Sequence, residues 1–151
     1  MTHYIGKMLN LIKLAVGVES LEDLTERLKQ PFNTYAHPDY DVPLPVVHTR
    51  SFPKQKDALL DGGSLYRVIN GLILCRQPIM DIQTTTRADG TQGTLILLSP
   101  KIIPVQPRAI RPFQGWRYLQ SQDAPTDLQG TPTHAVGLPL SLQKKLLELG
   151  L

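Results

Sequence analysis

Two tight-turn signals, set between apolar runs in the middle of the chain, restrict this sequence more than any other feature. Asn70-Gly71 separates SLYRVI from LILCRQ, and Asp89-Gly90 separates IMDIQTTT from TLILLS. Asn, Asp and Gly tolerate the positive φ that short hairpin turns require, and the flanking aliphatic and β-branched residues suit a pleated sheet. The pattern predicts an antiparallel meander of four strands over residues 64–99. Pro78 has no N–H to donate, so it marks a bulge, a bend or an edge between the second and third strands.

The flanks read as supporting elements. Leu9, Leu11, Leu14, Val16 and Val18 form an apolar strand that Gly17 ends. Ser20 then caps a helix with Glu22 and Asp23 in its first turn and Leu21, Leu24 and Leu28 on one face, stopped near Pro31. Residues 32–45 read as a loop. PVVHTRS (45–51) reads as a half-buried strand with Val46, His48 and Arg50 on one face and Val47 and Thr49 on the other. Pro53 opens a short helix through Leu59 and Leu60 that Gly62 and Gly63 stop. Residues 102–106 form a further strand interrupted by Pro104, the chain is irregular from Pro107 to Leu140, and Ser141 caps a closing helix bearing Leu142, Leu146 and Leu149. The fold class is therefore α+β, an antiparallel meander flanked by short helices, in a single domain over residues 1–151.

Composition limits the function classes. With 41% hydrophobic and 19% charged residues the chain is expected to bury a real core. Cys75 is the only cysteine, so no intramolecular disulfide, paired-cysteine zinc site or CxxC redox motif is available. Residues 8–18 have the apolarity of a leader peptide's core, but Asn10 and Lys13 interrupt them, and nowhere do about 18 apolar residues run together as a membrane span needs. The expectation is a cytoplasmic protein with no membrane partner. The net charge of +3 is unevenly distributed, because residues 50–117 alone carry +6. An anionic partner, RNA, DNA or another polyanion, fits that middle segment, although exposed Lys and Arg are also ordinary surface residues.

Several residue groups bear on chemistry. RPFQGWRYL (111–119) gathers the only tryptophan with Phe113, Tyr118 and two arginines, a combination that stacks on bases and pairs with phosphates, or else plugs one end of the sheet. Asp61-Gly62-Gly63-Ser64 follows a helix instead of opening one, the reverse of a phosphate loop, and reads as a helix stop. Cys75, His48, His134 and Asp61 supply the residue types of a thiol nucleophile and its base, yet Cys75 lies among Leu72, Ile73 and Leu74, where a lone cysteine serves as a small buried hydrophobe. His3, His37, His48 and His134 show no metal-ligand spacing, so no metal and no cofactor are expected. Arg67 falls on the same side of its strand as Leu65 and Ile69, so it either emerges at a sheet edge or enters a partly buried polar site. If buried, it needs a carboxylate, with Asp61 and Asp81 as candidates.

The strings LIKLAVGVESLEDL, LLDGGSLYRVINGLILCRQPI and RPFQGWRYLQSQDAPTDL resemble those of the domain-of-unknown-function family 1489, small uncharacterised bacterial proteins. The resemblance runs from Met8 onward and leaves residues 1–7 as an N-terminal extension. It implies cytosolic proteins of this size without an established activity, and supplies no catalytic residue. The chain departs from the family pattern at Arg67 and Asn70, where tryptophan and lysine are common, so the resemblance assigns no role to either position.

The order of elements is also similar to the PUA-like pseudobarrels, small partly closed sheets flanked by helices that commonly bind RNA or modified bases. That analogy leads to the first functional expectation, a nucleic-acid-binding module. Arg50, Lys54, Lys56, Arg76, Arg111 and Arg117 are the candidates for phosphates, and Tyr66, Trp116 and Tyr118 for stacking. The alternatives are a small enzyme acting on a nucleotide or other anionic metabolite, with Asp61 or His48 as acid or base, and a protein-interaction adaptor using the proline-rich loops.

Overall fold

A computed structural model of the chain describes residues 9–128. Its elements are β1 (Leu9–Leu14), α1 (Leu21–Leu28), β2 (Thr34–Tyr35), β3 (Leu44–Thr49), α2 (Lys56–Leu60), β4 (Ser64–Ile69), β5 (Leu72–Thr86), β6 (Gln92–Leu98), β7 (Ile103–Ala109) and β8 (Trp116–Gln120). The protein is α+β, mostly an open mixed sheet with two short helices. The order across the sheet is β2-β3-β6-β5-β4-β1-β8, with β7 paired to β5 off this path. Among the described strands only β1 and β4 run parallel. The closing helix expected from Ser141 lies outside the described residues, and no helix among those described is long and apolar enough to cross a membrane.

The first hairpin turn forms as its residues require, with φ of 54° at Asn70 and 83° at Gly71. At the second, Gly90 takes φ of 87° while the Asp89 carboxylate accepts from the Thr91 N–H and hydroxyl. The meander has three strands, however, because β5 is continuous for 15 residues through Pro78. Its first half pairs with β4 on one edge and β7 on the other, and its second half pairs with β6. Pro78 falls where β7 has ended at Arg76↔Ile103 and β6 begins at Ile79↔Leu98, so its missing N–H interrupts no ladder. The irregularity expected there appears between Ile79 and Asp81.

Ser20 caps α1 by accepting from the Asp23 N–H at 2.9 Å. Helix α2 starts at Lys56, later than Pro53 suggests, and ends where the Gly63 N–H bonds to the Leu59 carbonyl at 2.9 Å. The stretch read as loop contains a 3-10 turn (Pro31–Asn33) and the short edge strand β2, the strand expected at 102–106 is present as β7 and runs on to Ala109, and the irregular stretch after Pro107 contains β8. Among the described strands β8 ends the sheet and β7 pairs β5 off the main path, positions where a glycine-led start or a proline is tolerated.

Side chains of cross-strand partners share a face, so the register separates the residues into two sets. The inner face carries Leu9, Leu11, Leu65, Ile79, Ile82, Ile96 and Leu98, packed under Leu59 of α2. The outer face carries Ile12, Tyr66, Val68 and Ile73, covered by Val105 and Phe113 from the segment beginning with β7. Five strand spacings separate β3 from β8, roughly 24 Å if the sheet were flat. Yet Trp116 Nε1 donates to the Ser51 carbonyl at 3.0 Å, and the Gln55 N–H donates to the Tyr118 hydroxyl at 3.1 Å. The sheet must therefore curl about its inner face, with β8 closing on the β3–α2 connection through side chains alone.

Candidate anion-binding cleft

The curl leaves a cleft of about 1100 Å³ between the end of β3, the β5–β6 hairpin and the start of β8. Three cations line it: Lys13 from β1, Arg50 following β3 and Arg87 at the hairpin. Five hydroxyl residues (Thr49, Ser51, Thr85, Thr86, Thr94) join them, along with His48, Gln114 and Trp116, and among the described residues no carboxylate does. A wall with positive charge, abundant hydroxyl donors and no competing negative charge attracts anions into a low-dielectric recess.

Each lining group is placed by the sheet. Lys13 sits opposite Trp116 on β8 and Arg67 on β4, and Arg67 sits opposite Cys75 on β5. Trp116, Lys13, Arg67 and Cys75 thus form one row across the inner face, about 5 Å apart at Cα. Trp116 is fixed by its bond to Ser51 and by an edge-on contact with Tyr118 at 5.0 Å between ring centroids. Gly93 leaves room for the stem of Arg87, since a Cβ there would lie 2.7 Å from the Arg87 Cγ.

Behind the Lys13 side of the lining the charges are unfinished. Arg67 is buried at 7% exposure and has no carboxylate within ion-pairing distance among the described residues. It donates through Nη1 to Gln77 Oε1 at 3.1 Å and through Nη2 to the Leu14 carbonyl at 3.5 Å, while its Nε has no partner. Neither Asp61, exposed at the end of α2, nor Asp81, held by His37 and Gln83, meets the expectation of a carboxylate for Arg67. Burial lowers the pKa of Lys13, and the neighbouring Arg67 charge lowers it further. Thr94, 1% exposed, also lines the cleft with an Oγ1 that has no partner.

The sequence-derived candidates divide between the two faces. Arg50 and Trp116 line the cleft, and Tyr118 supports Trp116 from the next row of the same face. Arg76, Tyr66 and Arg117 lie on the opposite face, in register with Ile12. Arg76 is held there by a two-pronged pair with Asp127, both contacts 2.8 Å, and by Ser64 Oγ. Tyr66 is buried in the outer cluster, and Arg117 lies over the Phe113 ring at 4.7 Å. Arg111 and Lys54 are exposed outside the cleft, and Lys56 lies 5.9 Å from the Phe52 ring centroid. Phe113 and Trp116 therefore do not form one plug.

The acid–base set does not assemble either. His48 lines the cleft, Asp61 does not, and His134 lies outside the described residues. Cys75 is fully buried, and burial pushes its thiol up to about 12, which makes it inert as a nucleophile at neutral pH. Among the described residues no group of three His, Cys, Asp or Glu could hold a metal ion.

Lys13, Arg87 and Thr94 are among the cleft residues that sequence reading passed over. Lys13 carried a signal, as the one charge in an otherwise buried strand. Arg87 and Thr94 carried none, because their position depends on a hairpin folding over from the far side of the sheet. A family model described as a protein of unknown function, DUF1489, matches residues 11–151. No curated protein and no solved structure matches the chain.

Proposed function

We propose that this chain, which belongs to the DUF1489 family of proteins of unknown function, is a binding module for single-stranded nucleic acid. One observation carries the reading: Lys13, Arg50 and Arg87 converge on a cleft that contains Trp116 and, among the described residues, no carboxylate. Phosphates pair with the arginines at the rim, and a base rests against the exposed part of the indole. Stacking of a base on an aromatic ring is worth about 1–3 kcal/mol and tolerates any sequence. The hydroxyl-lined wall supplies further donors to phosphate and sugar oxygens. Likeness to the PUA-like pseudobarrels supports the same reading at the level of fold analogy only. The site so defined is Arg50, Arg87, Lys13 and Trp116, with Tyr118 as a support. Arg76 and Tyr66 serve the outer face.

The sole tryptophan is in the cleft, so its fluorescence reports this site and no other. Titration with a short oligouridylate is expected to change Trp116 emission, with an affinity that falls as salt rises. For single strands log K falls with log salt by about 0.7 per phosphate neutralised. Arg50→Ala and Arg87→Ala should each flatten that slope by about 0.7, whereas Arg111→Ala should leave it unchanged. A salt-independent affinity, or equal slopes in all four proteins, would overturn the proposal.

A further inference from the structure

We infer that the floor of this cleft is a subsite for a terminal phosphate monoester, so that the module takes hold of the end of a strand and not its interior. The inference rests on the nucleic-acid reading of the cleft and specifies which part of the ligand goes deepest.

The argument begins with charge matching. Two cations stand side by side, Lys13 half-buried in the cleft lining and Arg67 buried behind it on the next strand and outside the lining, and neither meets a carboxylate among the described residues. A buried cation without a counter-charge is costly, and two adjacent ones repel each other as well. A phosphodiester carries one negative charge and would leave half of this field uncompensated. A phosphate monoester carries about −1.5 to −2 at neutral pH and three terminal oxygens. Its charge matches that of the Lys13–Arg67 pair, and it reverses the conditions that lower the pKa of Lys13.

Hydrogen bonding points to the same group. Thr94 Oγ1 is buried, lines the cleft and lacks a partner, and buried hydroxyls are rarely left so. It is a donor awaiting an acceptor oxygen. Shape adds the reason for a chain end. An internal diester drags an esterified sugar on each side, and both must fit below the Arg50 and Arg87 rim before a phosphate meets Lys13. A terminal monoester has a single substituent and can enter end-on. The division of labour is then a rim that holds diesters through Arg50 and Arg87, and a floor that selects the end through Lys13 and Thr94, backed by Arg67.

The test uses the full chain and three oligouridylates of equal length, bearing a 5′-phosphate, a 3′-phosphate or hydroxyls at both ends. Affinity is measured by calorimetry, with Trp116 fluorescence confirming the site. One phosphorylated strand is expected to bind at least tenfold tighter than the hydroxyl-ended strand. Lys13→Met and the near-isosteric Thr94→Val should each reduce that preference to less than threefold. Arg50→Ala should weaken all three strands by the same factor and keep the preference. Equal affinity for the three strands in the wild-type protein would overturn the end-recognition subsite and leave the nucleic-acid reading intact. Absence of binding to any strand would overturn both. Retention of the preference in folded Lys13→Met and Thr94→Val proteins would refute the placement at the floor.

Discussion

Arg67 gives the most direct test of whether the cleft floor is built for something other than stability. Its guanidinium is buried without a carboxylate among the described residues, its Nε has no partner, and the Gln77 Nε2 beside it has none. Replacing the pair, Arg67→Met with Gln77→Leu, removes two unsatisfied buried donors, each costing about 1–3 kcal/mol, and the desolvation of a cation, several kcal/mol more. Against this stand the loss of the Nη1–Gln77 bond, about 1.5–3 kcal/mol as a charged hydrogen bond, and the Leu14 carbonyl deprived of a weak 3.5 Å contact. The balance favours the double variant by about 2 kcal/mol, a rise of about 4–8 °C in Tm for a chain of this size. Arg67→Met alone should fall short of the double variant by about 1–3 kcal/mol, since it strands both ends of the Gln77 amide. Urea unfolding without nucleic acid measures the difference, with an unchanged m-value as the sign that the unfolded state is not responsible. A double variant no more stable than the wild type would show that the Arg67 charge is already compensated, and the argument for an unfinished floor would fail.

Two further outcomes follow from groups outside the cleft. The Cys75 thiol, pushed by burial from 9.0 to about 12, should react with a disulfide-exchange reagent at pH 8 about a thousandfold more slowly than a free thiol, and at full rate only in urea. Because the folded state holds this proton more tightly, the contribution is complete below pH 9.0 and drains away as pH rises toward 12, by up to about 1.4 kcal/mol per unit, so Cys75→Ala should unfold with a flatter alkaline limb. Asp127 has the opposite sign: its hydrogen bonds to Arg76 hold the carboxyl below 3.8, so its contribution is present above that value and lost as pH falls through the lower, folded value. Asp127→Asn should cost about 1 kcal/mol at pH 7, discounted for the partial exposure of the pair, and nothing once acid has protonated the carboxylate.

What the sequence revealed depended on how local the determinant was. Ser20, Asn70-Gly71 and Gly62-Gly63 act within a few residues, and each produced the cap, turn or stop expected of it. Pro78 was recognised as an irregularity but not as the point where one long strand changes partners, because that depends on where β6 and β7 arrive from elsewhere in the chain. Strand β8 was hidden because its alternation of ring-bearing and other residues runs over only five positions, directly after a glycine. The cleft was partly legible for the same reason. Arg50 and Trp116 were found by residue type, whereas Lys13 joins them only through its register with β8.

The arginines of the sheet show why residue type alone could not sort them. Arg67 and Arg76 lie on β4 and β5, yet they face opposite ways. Arg76 points outward to Asp127, which satisfies its charge within the chain and ties the segment after β8 to the sheet. Arg67 points inward, where the nearest groups are an amide, a carbonyl and the cation of Lys13. If both served stability alone, the buried arginine would have the stronger need of a carboxylate, since its desolvation is more complete. The partner is instead on the arginine that water partly reaches. A counter-charge missing at the deeper site, in a row with Lys13 and Trp116, is intelligible if the ligand brings it. It follows that an anion bound beside Lys13 must stabilise the folded protein by RT ln(1 + L/Kd) at free anion concentration L, and that this linkage weakens when Arg67 is replaced.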